Sequence, residues 1–133
     1  MIDIALLKKN FLDKIAINPF QLFGYLFPTI DNGYGQTIRE PGGVPELKIY
    51  TNPVRIFTEK RPIKNTNDQK TPETFEKRIY IMISDSDTIV DIELEFEYDG
   101  VNLRVKKMRP LVKGTTIYGY EYELEEVGGY SGS

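Results

Sequence analysis

Chemistry in a protein needs side chains that move protons, attack or hold metal ions, and here the supply is narrow: the 133 residues include no His and no Cys. That removes thiolate and imidazole nucleophiles, the common zinc sites and the one side chain that titrates near neutrality without help. Carboxylates remain. Asp85-Ser86-Asp87 with Asp91 has the first, third and seventh acids of a calcium loop, in which Gly at the sixth position makes the turn and Glu at the twelfth completes the ligand set. Those two places hold Val90 and Phe96, so a turn between strands is the favoured reading.

Glu93, Glu95 and Glu97 would share one face of a strand and so could be imagined as an acid pair for glycoside cleavage. That face lies opposite the apolar one and is supplied with Arg104 and Lys106 across a hairpin, which favours a solvated, ion-paired surface. Gly33-Tyr34-Gly35 and Gly42-Gly43 lack the Lys-Ser/Thr ending of a phosphate loop and read as turn glycines. The basic run Arg104, Lys106, Lys107, Arg109 and Lys113 has the charge to touch phosphate, but it adjoins the acidic run Asp91 to Asp99, and mutual neutralisation is favoured. No catalytic, metal or cofactor constellation is assigned.

The elements that must position any site follow from composition and period. Hydrophobic residues make up 40% and charged residues 28% of the chain, enough for one domain with its own core. Nine Tyr, seven Phe and many Ile, Val and Thr lean towards strand. The absence of Cys suits a reducing compartment, and Met1-Ile2-Asp3-Ile4 does not read as a secretory signal, so synthesis in the cytosol is expected. No window has 18 apolar residues, which argues against a membrane-spanning helix. A net charge of -3 argues against a broad nucleic-acid-binding face.

Asp3 suits an N-cap, and Ile4, Leu7, Phe11, Leu12 and Ile15 recur at helical spacing. Asn18-Pro19 then reads as a second helix start, with Phe20, Leu22, Phe23, Leu26 and Phe27 apolar nearly all the way round, buried under a sheet or docked on a partner. Asp31 to Pro45 has loop composition. Strands are expected at 47–50, 54–58 and 78–84, the last covered on both sides. Arg61 to Thr74 reads as a long polar loop.

Next, Ile92 to Tyr98 alternates apolar residues with Glu, Asp99-Gly100 makes a two-residue turn, and Val101, Leu103 and Val105 alternate with polar residues. Pairing Tyr98 with Val101 sets Phe96 on Leu103, Leu94 on Val105, Glu95 on Arg104 and Glu93 on Lys106. After a turn at 113–116, a final strand, Ile117 to Leu124, would place Tyr118, Tyr120, Tyr122 and Leu124 on one face. The sum is a mainly β (α+β) domain: an N-terminal helical segment of one or two helices over 1–28, a small antiparallel β-barrel or sandwich of five to six strands over 29–127, and a tail over 128–133.

Residues 31 to 127 resemble the head-completion (head-tail connector or stopper) proteins of tailed bacteriophages. The likeness rests on Asp31-Asn32-Gly33-Tyr34-Gly35-Gln36-Thr37 and on Phe96-Glu97-Tyr98-Asp99-Gly100-Val101-Asn102-Leu103-Arg104-Val105, similar to that family's opening stretch and late hairpin. The N-terminal helix and the Pro19 to Phe27 stretch depart from its shortest members. The resemblance implies a homo-oligomeric ring in the virion neck, assembled in the host cytoplasm between a portal or adaptor protein and a tail or tail-terminator protein, with DNA passing nearby unbound. It also implies a loop projecting to the channel, for which Arg61, Lys64, Asn65, Asn67, Asp68 and Lys70 are the candidates. Phe20, Leu22, Phe23, Leu26 and Phe27 are candidates for partner docking. A monomeric binding module with a cleft lined by Tyr118, Tyr120 and Tyr122 is the alternative, and a carboxylate hydrolase a distant third.

Overall fold

The computed structural model describes residues 3–62 and 76–127. Lys64, Asn65, Asn67, Asp68 and Lys70 of the candidate channel loop, and the expected tail, lie outside them. Helix α1 spans Ile4–Ile17 and starts as expected, the Asp3 carboxylate accepting the Ala5 amide at 3.1 Å. It stops where Asn18 donates back to Ile15 O and Pro19, which has no amide to give, ends the ladder. Phe11 and Ile15 are its buried positions, whereas Leu12 stays half exposed.

Among the described residues nine strands follow: β1 (Phe23–Leu26), β2 (Thr29–Asp31), β3 (Thr37–Arg39), β4 (Glu46–Ile49), β5 (Arg55–Pro62), β6 (Glu76–Asp85), β7 (Glu95–Tyr98), β8 (Val101–Lys113) and β9 (Thr116–Glu126). Seven form one antiparallel sheet in the order β4-β1-β7-β8-β9-β6-β5, and β2 and β3 pair apart. The mainly β class is as read from the sequence, with more strands than counted there and, among the described residues, one helix of the one or two expected. Arg61 belongs to β5, so the polar stretch after it begins later than expected.

The sheet curls around its core. Phe20, just before β1, and Val54, just before β5, exchange backbone hydrogen bonds of 2.7 and 3.0 Å, tying the two flanks at one point. The Tyr98 hydroxyl reaches Ile56 O from the opposite flank at 3.4 Å. Inside lie Leu22, Val54, Met82, Leu94, Leu103, Val105 and Tyr122, all essentially buried, each aliphatic contributing about 1.5–3 kcal/mol through loss of contact with water. On the outer face α1 covers β6 and β9 through Phe11, Ile15 and Ile83, which leaves β6 buried on both sides as expected.

No second helix forms over 19–27. Gln21 to Leu26 instead alternates outward and inward, with Leu22 and Gly24 buried and Phe23 and Tyr25 exposed. Gly24 explains the outcome: a Cβ there would overlap Glu95 O and stand 3.0 Å from Phe96 Cβ, so strand β1 approaches β7 only where a side chain is missing. The loop expected over 31–45 holds the β2–β3 hairpin, its tip built by Asp31 accepting the Gly33 amide and Asn32 accepting those of Tyr34 and Gln36.

Asp99 and Gly100 both have positive φ, 52° and 78°, the backbone that a tight antiparallel turn requires. The register behind them is as read for Tyr98–Val101, Phe96–Leu103 and Glu95–Arg104. Glu93 departs. It has φ 77°, and its amide and the Leu94 carbonyl both bond to Val105, so two residues oppose one and the expected Glu93–Lys106 pair gives way to Glu93 beside Arg104 at 3.6 Å. A second irregularity, between Leu111 and Val112, skips Tyr118 on β9. It turns Tyr118 out onto Phe11 while Tyr120 and Tyr122 face the core, so the three tyrosines do not share a face.

Candidate interaction face

Four of the exposed large apolar residues lie side by side on the flank formed by β1 and β4. Alternation turns Phe23 and Tyr25 outward from β1, and Leu47 and Ile49 outward from β4, and the register sets Phe23 beside Ile49 and Tyr25 beside Leu47. Their exposures are 56%, 69%, 42% and 50%, so four adjacent large side chains meet solvent as one patch, unlike scattered surface apolar residues.

Strand β4 is also the end of the sheet. The Tyr50 amide donates to Leu22 O at 3.1 Å, and antiparallel alternation from that pair turns the backbone polar groups of Glu46 and Lys48 to β1 and those of Leu47 and Ile49 to the open edge. Such an edge is a template for a further strand.

Beside the patch the chemistry turns ionic. Tyr25 pairs with Glu95, whose carboxylate meets the guanidinium of Arg39 and lies 3.6 Å from Arg104. Arg104 in turn donates to Glu125 at 2.8 and 3.0 Å; that hydrogen bond raises the guanidinium pKa above its already high ordinary value. The Arg39 guanidinium also sits 3.8 Å over the Phe27 ring. Between β1 and β7, Phe27, Arg39 and Glu95 line a groove of about 630 Å³ with Phe23, Tyr25, Glu97 and Asp99. Glu97 and Asp99 have no ionic partner among the described residues.

Of the expected docking residues, the structure leaves Phe23 outward and uses the others within the fold. Leu22 is fully buried, Phe20 packs against Phe96 and Tyr98, Leu26 lies against the core cluster, and Phe27 is half-buried beneath Arg39. Tyr25, Leu47 and Ile49 were missed. Their signal was two short alternations, Phe23-Gly24-Tyr25-Leu26 and Glu46-Leu47-Lys48-Ile49, legible as one face only once the strands are paired.

The other sequence candidates are held as structural groups. Asp85 is buried and closes the turn after β6 by accepting the Asp87 amide at 2.8 Å, and among the described residues no three acidic side chains converge on a metal position. Lys107 and Arg109 reach Glu123 and Glu121. Two tyrosines, Tyr122 buried and Tyr50 half-buried, brace the segment before β7. The Tyr122 hydroxyl accepts the Val90 amide at 3.0 Å and lies 2.8 Å from Ser84 Oγ, while the Tyr50 hydroxyl accepts the Asp91 amide and donates to its carboxylate. Burial raises both phenol pKa values, and the Asp91 bond raises that of Tyr50 further. No described helix is long and apolar enough to cross a membrane. Compared with protein-family models, with curated proteins and with solved structures, the chain matches none.

Proposed function

We propose that this chain acts through its surfaces, as a structural subunit of a tailed-bacteriophage neck: a homo-oligomeric ring that joins portal or adaptor to tail or tail terminator and helps retain packaged DNA. The observation that carries the reading is the exposed quartet Phe23, Tyr25, Leu47 and Ile49 beside the open edge of β4. Four such side chains in one patch favour a macromolecular contact over a free surface. The net charge of -3 fits a channel wall along which DNA slides, because like charge discourages adhesion. The resemblance in the β2–β3 tip and the β7–β8 hairpin supplies the particular setting, including assembly in the host cytoplasm and residence in the virion.

The groove beside Phe23 and Tyr25 favours a second reading, a monomeric module that takes up a peptide. Tyr120 and Tyr122, which would have lined its cleft, are buried in the core, which weakens it. Light scattering of the purified chain, followed by electron microscopy of any large species, separates the two. Closed annuli support the ring; a monomer at every concentration, alone and mixed with portal and tail proteins, rejects it.

A further inference from the structure

Strand β8 carries two surfaces that cannot meet within one chain. Its first half lies between β7 and β9. Lys106 bulges between the pairs Val105–Leu124 and Lys107–Glu123, and from Lys107 to Lys113 the strand pairs with β9 alone, so one backbone edge is open, and side chains from Lys106 through Pro110 are exposed on both faces. This arm is basic and partly apolar. Met108 and Val112 are 37% and 49% exposed, and Lys106 and Lys113 have no ionic partner among the described residues. Pro110 interrupts its open edge, a device that discourages unselective strand pairing.

At the start of the same strand lies the groove with Phe23, Tyr25, Glu97 and Asp99. A strand rises about 3.3 Å per residue, so the middle of the arm stands roughly 25 Å from that groove. The arm offers unpaired cations and small apolar surface; the groove and the adjoining patch offer unpaired carboxylates and aromatic surface. Each is the complement of the other, at the two ends of β8 within one sheet, facing different neighbours.

We infer that the β8 arm of one copy docks on the aromatic, acid-rimmed β1–β4–β7 face of the next, a head-to-tail contact that brings a basic arm, with Lys106 and Lys113 at its two ends, onto a face rimmed by Glu97 and Asp99. This rests on the ring reading and names its contact. Two different surfaces used in succession propagate around an axis and close when the rotation permits, whereas a contact of like surfaces stops at two copies. Apolar burial of Met108 and Val112 against Phe23 and Ile49 holds the contact, and the charges select its orientation.

The test is sedimentation velocity of the full chain and two double variants. One is Lys106→Glu with Lys113→Glu; the other is Glu97→Lys with Asp99→Asn, the Asn retaining the positive φ that the turn needs. Circular dichroism checks that both fold, as their exposed positions lead one to expect. The wild type should form oligomers that dissociate as salt rises, each variant alone should sediment as a monomer, and an equimolar mixture should recover the wild-type species. Oligomers persisting in either variant would overturn this contact while leaving the ring reading standing. Two monomeric variants whose mixture stays monomeric would overturn the pairing of the basic arm with the acidic groove. A wild type that is monomeric by itself would overturn this contact, and one that stays monomeric when mixed with portal and tail proteins would overturn the ring reading as well.

Discussion

The Phe11 ring of α1 rests on the backbone of Gly119 in β9, so close that a Cβ at residue 119 would overlap three of its ring carbons. Glycine there is what lets the helix lie on the sheet, and Tyr118 meets the same ring edge-on at 5.7 Å. Gly119→Ala should therefore push α1 outward and cost about 1–3 kcal/mol, the usual penalty of overpacking. Urea denaturation measures it; an unchanged midpoint would show that the helix is not seated on β9.

Tyr122 joins the sheet to the segment before β7. Phenylalanine at that position keeps the packing but strips the Val90 amide of its acceptor. The expected loss is about 1–3 kcal/mol, the penalty for a buried donor left unsatisfied. Faster hydrogen exchange at Val90 should accompany it.

Alkaline pH should weaken the fold through two phenols. Both Tyr50 and Tyr122 have folded pKa values above the ordinary one. For a group so raised, stability is fully present below the ordinary tyrosine value of about 10 and falls as pH climbs from there towards the raised value. Urea midpoints from neutrality to about pH 11 should decline, and Tyr50→Phe should remove part of that decline. A variant curve parallel to the wild type would count against this account.

Arg104 stands among Glu93, Glu95 and Glu125. Arg104→Met leaves the carboxylates to repel one another, and a loss of about 1 kcal/mol is expected at low ionic strength, since the cluster is partly exposed. The difference should shrink as salt screens the site. A loss independent of salt would point to packing of the Arg104 stem instead.

Where the chain carried its own local instruction, the fold was legible in the residues. Asp3 and the Ile4, Phe11, Ile15 spacing gave α1; Asp99-Gly100 between alternating runs gave the β7–β8 hairpin and three of its cross-strand pairs. What depended on distant partners was not. Phe20 to Phe27 looks helical by apolar content, yet Val54 takes the Phe20 amide and Glu95 leaves room only for Gly24, so pairing overrode local pattern. The skipped residue at Tyr118 left no mark in the sequence, and it alone separates that ring from Tyr120. The candidate interaction face was half visible: Phe23 was named, but Leu47 and Ile49 join it only through the register that pairs Tyr25 with Leu47 and Phe23 with Ile49.

The most direct measurement is the solution mass of the wild type beside Phe23→Asp with Ile49→Asp, a change confined to exposed positions of one cross-strand pair. The wild type is expected to assemble into a large, discrete oligomer and the variant to remain a folded monomer. Identical masses for the two proteins would contradict the claim that this face is where the chain does its work.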